Sequence, residues 1–323
     1  MSVVEPAPPR RWSWWTVIQG SLLALTLVLA ARAIALQWSD LNAVAHETHL
    51  HWGWIVLSGA ITLAVHATLI QSWRILLAGW GSALPFGAAV RIWTISNLGK
   101  YLPGKVWSIG AMGILAKREG VSAVSAGGAA LLNALLNLGA GFGVIALAGA
   151  GELHKIAPWM RLAASLASAS FVIGVLLLPK MLPPVLRRLA KWRGLPPLDR
   201  DLPAATIWSV TGLHALSWVG YGLAFAAFVR GVAPLATGDP VLLIAVYAAS
   251  YLWGYLMLFA PGGIGVREFA LVAMLVSLGI AGRTDALLIA LASRIWLTVL
   301  EVLPGLIALF VSPKTSRSPA PVR

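Results

Sequence analysis

The chain of 323 residues contains no cysteine, which excludes disulfides and thiolate chemistry. Charge is scarce as well. Asp, Glu, Lys and Arg make up 11% of the residues, against roughly a quarter in a soluble globular domain. Acidic side chains are the scarcer sign, with 11 Asp+Glu against 24 Lys+Arg. The pattern Gly-x-x-x-x-Gly-Lys-Ser/Thr is absent, so no P-loop couples the chain to nucleotide hydrolysis. What is present is apolar: 59% of residues are hydrophobic and the mean hydropathy is +0.83. These values describe an all-α, polytopic integral membrane bundle. The net charge of +13 does not imply nucleic acid, because short cytoplasmic loops beside anionic headgroups produce the same excess.

A bilayer core takes about 20 apolar residues as helix. Segments of that kind are Thr16–Leu36, Trp52–Leu77, Val121–Ala150, Trp159–Leu178, Ala204–Val229, Val241–Ala260 and Ala286–Val311. Ile264–Ile280 is shorter and is counted with them, for about eight spans. Arg10-Arg11 and Ala31-Arg32-Ala33 have a superficial likeness to signal-peptide elements, but the first apolar run is long enough to stay as an uncleaved helix. Lys105–Ala116 reaches only about 18 Å as helix, too short to cross, so it is expected to dip in and return. Loop charge agrees. The loop 180–203 carries Lys180, Arg187, Arg188, Lys191, Arg193 and Arg200, while Gln37–His51 has no Lys or Arg. Both termini inside then satisfies the positive-inside rule. The expected organisation is an inner tail over 1–15, one transmembrane domain over 16–311 and an inner tail over 312–323.

Polar residues interrupt this apolar background in two places. Asn97-Leu98-Gly99-Lys100-Tyr101-Leu102-Pro103-Gly104-Lys105-Val106-Trp107 places two lysines and a Pro-Gly pair in otherwise lipid-soluble sequence. Proline removes a backbone donor and glycine frees the backbone, so a continuous helix is not expected. In a bilayer, broken backbone survives where protein or a water-filled cavity satisfies it. The second place is Pro261-Gly262-Gly263-Ile264-Gly265-Val266-Arg267-Glu268. Tyr101-Leu102-Pro103-Gly104 and Phe259-Ala260-Pro261-Gly262 share an aromatic–apolar–Pro-Gly order. A glycine and a β-branched residue follow each (Gly120-Val121, Gly279-Ile280), then a longer helical run. The pattern suggests an internal repeat, and paired breaks in two halves point to a transport site.

With both motifs in this order, the chain resembles the lysylphosphatidylglycerol synthase transmembrane region, also called the flippase-like family, from roughly Gly20 to Phe310. The resemblance implies lipid translocation, or handling of lipid-linked sugars, in a prokaryotic cytoplasmic membrane. Synthases of the family carry an added soluble aminoacyl-transfer domain, which this chain lacks, so lipid aminoacylation is not expected of it. The expected partner is a membrane lipid with an anionic headgroup. No cofactor, metal or nucleic acid is expected.

Candidate substrate-binding residues are Asn97, Lys100, Tyr101, Pro103, Gly104 and Lys105 at the first break, and Pro261, Gly262, Gly263, Arg267 and Glu268 at the second. Lys100, Lys105 and Arg267 would draw a headgroup to broken helix ends with free N–H groups, the lysines as solvated side chains of little weight in packing. Arg294 and Glu301 lie seven residues apart on one face of the last span; they read as an ion pair or as contacts to a neighbouring helix, or Arg294 as a phosphate ligand with Glu301 holding it. Asn133 and Asn137 share a helix face, as interhelical hydrogen-bonding groups or as substrate contacts. His66 and His214 read as hydrogen-bonded packing residues. His46-Glu47-Thr48-His49-Leu50-His51 departs from His-Glu-x-x-His and is not read as a zinc site. Three functions compete. They are a lipid translocator, a non-transporting partner of a lipid- or glycan-synthesis enzyme, and a polyprenyl-phosphate glycosyltransferase. Asp40 and Glu47 in the first outer loop form no Asp-x-Asp or Glu-x-Asp pair, which disfavours the enzyme.

The cysteine-free background makes the topology directly testable. Single cysteines at Lys117 and Arg188 are expected to react with an impermeant maleimide from the inner side only. Labelling from outside alone would overturn the arrangement.

Overall fold

Backbone groups in lipid cannot turn to water, so an apolar chain of this kind satisfies them within helices. The computed structural model describes residues 50–101, 106–156, 158–193, 201–234, 236, 238–257, 263 and 265–310. Among them are nine α-helices and no strands. In chain order these are α1 (Trp52–Gly79), α2 (Phe86–Asn97), α3 (Val106–Arg118), α4 (Ala123–Ile156), α5 (Pro158–Arg193), α6 (Ala204–Val232), α7 (Pro240–Leu256), α8 (Val266–Ser277) and α9 (Arg283–Phe310). The first apolar run, the loop through His49 and both tails lie outside the described residues.

Four helices are long and apolar enough to cross a membrane: Trp52–Gly79, Ala123–Gly149, Ala204–Val232 and Arg283–Ala308. They match four expected spans to within a few residues. Their outer faces carry Val56, Leu63, Leu135, Leu147, Leu223 and Leu303, all exposed, which makes sense only if lipid is the solvent there. Hydroxyls inside the spans are satisfied within their own helices, as where Thr62 Oγ1 donates to Ser58 O at 2.8 Å and Ser217 Oγ to Leu213 O at 2.8 Å.

The chain is interrupted where the two motifs stand. α2 ends at Asn97, a 3-10 turn occupies Leu98–Tyr101, and α3 begins at Val106. α7 ends at Leu256 and α8 begins at Val266. Leu102–Lys105 and Pro261-Gly262, with candidates Pro103, Gly104 and Lys105, lie outside the described residues. After each break comes a short helix: 13 residues in α3 and 12 in α8, about 20 and 18 Å long. The sequence reading counts Ile264–Ile280 as a crossing, yet α8 is no longer than the segment excluded for its shortness.

Each short helix then ends in the same turn. Val121 N donates to Ala116 O at 3.1 Å and Gly120 N to Lys117 O at 3.2 Å; Ile280 N donates to Leu275 O at 2.9 Å and Gly279 N to Val276 O at 3.1 Å. Gly120 and Gly279 sit at φ +80° and +66°, the left-handed region that a Cβ disfavours. A long helix follows in both cases, and the long helix of each unit packs on the first helix of the other, α4 on α7 and α9 on α2. The core divides accordingly. One buried cluster gathers Trp73, Trp80, Ile92 and Met112 around α1–α4; the other gathers Trp218, Tyr247, Leu271 and Ile289 around α6–α9.

Gly120→Ala and Gly279→Ala are each expected to lower stability by about 1 kcal/mol, because the methyl opposes a left-handed backbone. Gly127→Ala, mid-helix with nothing within 4 Å of its added carbon, is expected to raise it. Thermal melting in detergent distinguishes the two directions.

Candidate functional site

The breaks place charged groups at helix ends, and the crosswise packing brings both sets against the middle of α9. Lys100, in the turn after α2, pairs with Glu301 of α9, with side-chain exposures of 22% and 7%. Glu268, in the first turn of α8, lies 3.7 Å (Oε1–Nη1) from Arg294 of α9. Its other oxygen, Oε2, accepts from Gly265 N at 2.7 Å and so caps the helix. The sequence reading allows Arg294 and Glu301 to pair with each other or with a neighbouring helix, without naming the partner. The structure supplies a carboxylate and an ammonium from the two breaks. Lys100 is not a solvated lysine: it faces a carboxylate that water barely reaches.

Between these pairs lies a cavity of ≈ 210 Å³, with Asn97, Lys100, Asn133, Asn137, Arg267, Arg294 and Glu301 in its wall. Seven of the proposed residues therefore meet in one space. Ser96, Ser108, Thr298, Tyr221, Tyr251 and Tyr255 complete its polar lining.

Arg267 is the most constrained of the cations. It is 3% exposed, and its guanidinium carbon sits 5.3 Å above the ring of Tyr247 and 5.4 Å above that of Tyr251. A cation placed over aromatic rings is held by their π faces and need not spend its N–H donors on them. Neither Nη1 nor Nη2 has a hydrogen-bond partner among the described residues. Backbone geometry makes room for this side chain. A Cβ on Gly254 would stand 2.9 Å from Arg267 Cβ, and one on Gly263 would stand 3.0 Å from Gly254 O. Gly263, at φ +73°, thus lets the second break close onto α7.

The asparagines play a double part. Asn133 Oδ1 lies 3.1 Å from His214 Nε2, and Asn137 O accepts from Trp218 Nε1 at 2.8 Å; both residues also face the cavity. His214 is hydrogen-bonded as expected. His66 is not at Nε2; it packs at 5.4 Å from the Trp93 ring and 6.1 Å from Tyr221. Tyr101 belongs to the turn that carries Lys100. No group of three or more His, Asp or Glu poised for a metal occurs among the described residues.

Sequence reasoning missed the tyrosines. Three of the five in the chain, Tyr247, Tyr251 and Tyr255, recur every fourth residue and share one face of α7. That spacing was visible, but its meaning depends on which residue stacks against the face.

Among the described residues, Lys100, Arg267, Arg294 and Glu301 line the cavity and Glu268 pairs with Arg294 beside it, an excess of one positive charge. Such a site favours an anion with several acceptor oxygens, of which phosphate is the best match to a guanidinium fork. The profile of the lysylphosphatidylglycerol synthase TM region matches residues 17–305 of the chain. No curated protein matches it.

Lys100→Met is expected to destabilise the protein by about 3 kcal/mol, because it removes an ion-pair partner of a buried carboxylate. Lys100→Met/Glu301→Leu is expected to recover most of that loss. Additive single effects in a double-mutant cycle would show that the pair carries no stability.

Proposed function

The chain belongs to the lysylphosphatidylglycerol synthase TM region family, and we propose that it translocates an anionic lipid, or a lipid-linked precursor, across a prokaryotic cytoplasmic membrane. The observation that carries this reading is Arg267, a buried guanidinium with both Nη atoms unpartnered among the described residues and its charge lying over two tyrosine rings. An isolated charge at that depth is costly. A headgroup phosphate offsets the cost by accepting the in-plane donors, while Lys100 and Arg294 flank it. Asn97, Asn133, Asn137 and Ser108 offer uncharged hydrogen-bonding groups to the rest of the headgroup.

In this reading the two short helices do not cross. α2 and α3 enter from the inner side and return; α7 and α8 do the same from the outer side. The parity of the loops is unchanged, so both termini stay inside and the basic loop remains cytoplasmic. The two units then have opposite orientation, an arrangement that places a binding site at the interface of repeats. The groups in the cavity bind and orient, and no chemical step is assigned to them. The reading is therefore of a transporter and not of an enzyme.

Arg267→Gln is expected to reduce movement of tail-labelled phosphatidylglycerol in proteoliposomes by roughly 10- to 100-fold, the equivalent of a lost charge-assisted hydrogen bond. Labelled phosphatidylcholine should move slowly in both proteins. Equal rates for the two lipids in the wild type, or an unaffected Arg267→Gln, would refute the assignment.

A further inference from the structure

The sequence reading treats 180–203 as a basic loop, yet α5 continues as helix through Arg193. From Pro158 to Val175 it rises about 26 Å, close to the thickness of a bilayer core. Trp208 of α6 marks the inner edge of that stretch: its exposed indole donates from Nε1 to Val175 O at 3.3 Å, and tryptophan of this kind belongs at the membrane interface. The Val175 carbonyl is open to the indole because Pro179, four residues on, has no N–H to give it. Pro183 and Pro184 remove two more bonds from the helix ladder. The segment beyond them is therefore joined to the span by few backbone bonds, and a helix bends at such a place.

The faces of this segment are sorted. Leu178 and Leu182 pack against the buried cluster around α1–α4. Leu162, Leu166, Ile173 and Leu177 are exposed on the side that meets lipid tails. Lys180, Arg187 and Lys191 continue that side inward, with Arg188 beside them, and all four are exposed. Met181, Val185 and Trp192, at 58%, 55% and 75% exposure, form a stripe next to the cations. No Asp or Glu occurs between Glu152 and Asp199. Arg187 lies 3.8 Å from Asp201, but both side chains are well exposed, and water weakens such a pair. None of these residues lines the cavity.

We propose that the inner end of α5 is a docking surface for anionic phospholipid in the cytoplasmic leaflet. Lys180, Arg187, Arg188 and Lys191 meet the phosphates, and Met181, Val185 and Trp192 rest where the acyl chains begin. Charge complementarity selects this occupant. A basic stripe just past the end of a span lies within reach of the negative surface potential of the inner leaflet. An apolar stripe beside it matches the boundary between headgroup and chain, where amphipathic helices lie. In a straight rod Arg187 would stand about 18 Å beyond Val175; bending at the prolines brings it back to the surface. The surface gathers anionic lipid beside the bundle, whatever the cavity carries.

The cysteine-free chain allows the depth of this segment to be measured. A nitroxide is attached at Val185→Cys, and its collisions with oxygen and with a water-soluble nickel chelate are compared in nanodiscs. On replacing part of the phosphatidylcholine by phosphatidylglycerol, oxygen collisions are expected to rise and nickel collisions to fall. At 1 M salt, where charge is screened beyond about 3 Å, the shift should be lost. It should also be absent when Lys180, Arg187, Arg188 and Lys191 are all changed to Gln. A label that stays in contact with nickel in both lipids would overturn the proposal and leave the stripe to a soluble partner. Equal depth in both lipids, or a shift that survives the four substitutions, would overturn the recognition of anionic lipid by these cations. A second label at Leu177→Cys is expected to meet oxygen in every disc; nickel contact there would overturn the placement of this end of α5 at the bilayer boundary.

Discussion

The structure depends on placing charge inside an apolar bundle without stranding it. Two ion pairs do this for four of the charges, Lys100 with Glu301 and Glu268 with Arg294, both reaching from beside a helix break to the same long helix, while Arg267 lies over tyrosine rings. A buried charge without its partner costs several kcal/mol, so each pair fixes a broken segment against α9. The breaks in turn exist because Pro-Gly sequences cannot continue a helix. Broken backbone, buried charge and the cavity between the pairs are aspects of one constraint.

Architecture follows from the same constraint. Two units of helix, break, short helix, glycine turn and long helix pack crosswise, so that each long helix seals the other unit's first helix. A single unit would leave its break open to lipid, where unsatisfied backbone is not tolerated. Paired, the described helix ends that flank the breaks, with Lys100, Tyr255 and Arg267, line one space together. Glycine at 254 and 263 then lets backbone approach backbone closely enough for Arg267 to reach that space.

The cations of the cavity are held in two different ways. The tyrosine faces beside Arg267 hold the guanidinium by contacts that do not consume its donors. The carboxylates do the opposite at Lys100 and Arg294, occupying cations that an incoming anion would use. In the proposed translocation a headgroup would meet one cation that lies over tyrosine rings and two that are paired with carboxylates.

Much of this was legible in the residues. Apolar runs of about 20 marked Trp52–Gly79, Ala123–Gly149, Ala204–Val232 and Arg283–Ala308 as membrane-length helices, because helix length in lipid is set by bilayer thickness alone. Pro103-Gly104 and Pro261-Gly262 marked the interruptions, since local backbone chemistry is enough to stop a helix. The glycines at 120 and 279 marked the turns after them. What the residues did not disclose was pairing. A shared helix face suggested Glu301 as one partner for Arg294 and a neighbouring helix as the other choice, but not that Lys100 reaches Glu301 from about 200 residues away in the chain. The tyrosines at 247 and 251 gain their role only when Arg267 is laid on them, and the shortness of α8 emerged only once its helix ended at Ser277. Composition and local stereochemistry act within a few residues, so the sequence by itself determined which segments are helices and where they break. Counter-ions and stacking partners are chosen by distance in space, and only the packing of the two units against each other decided those.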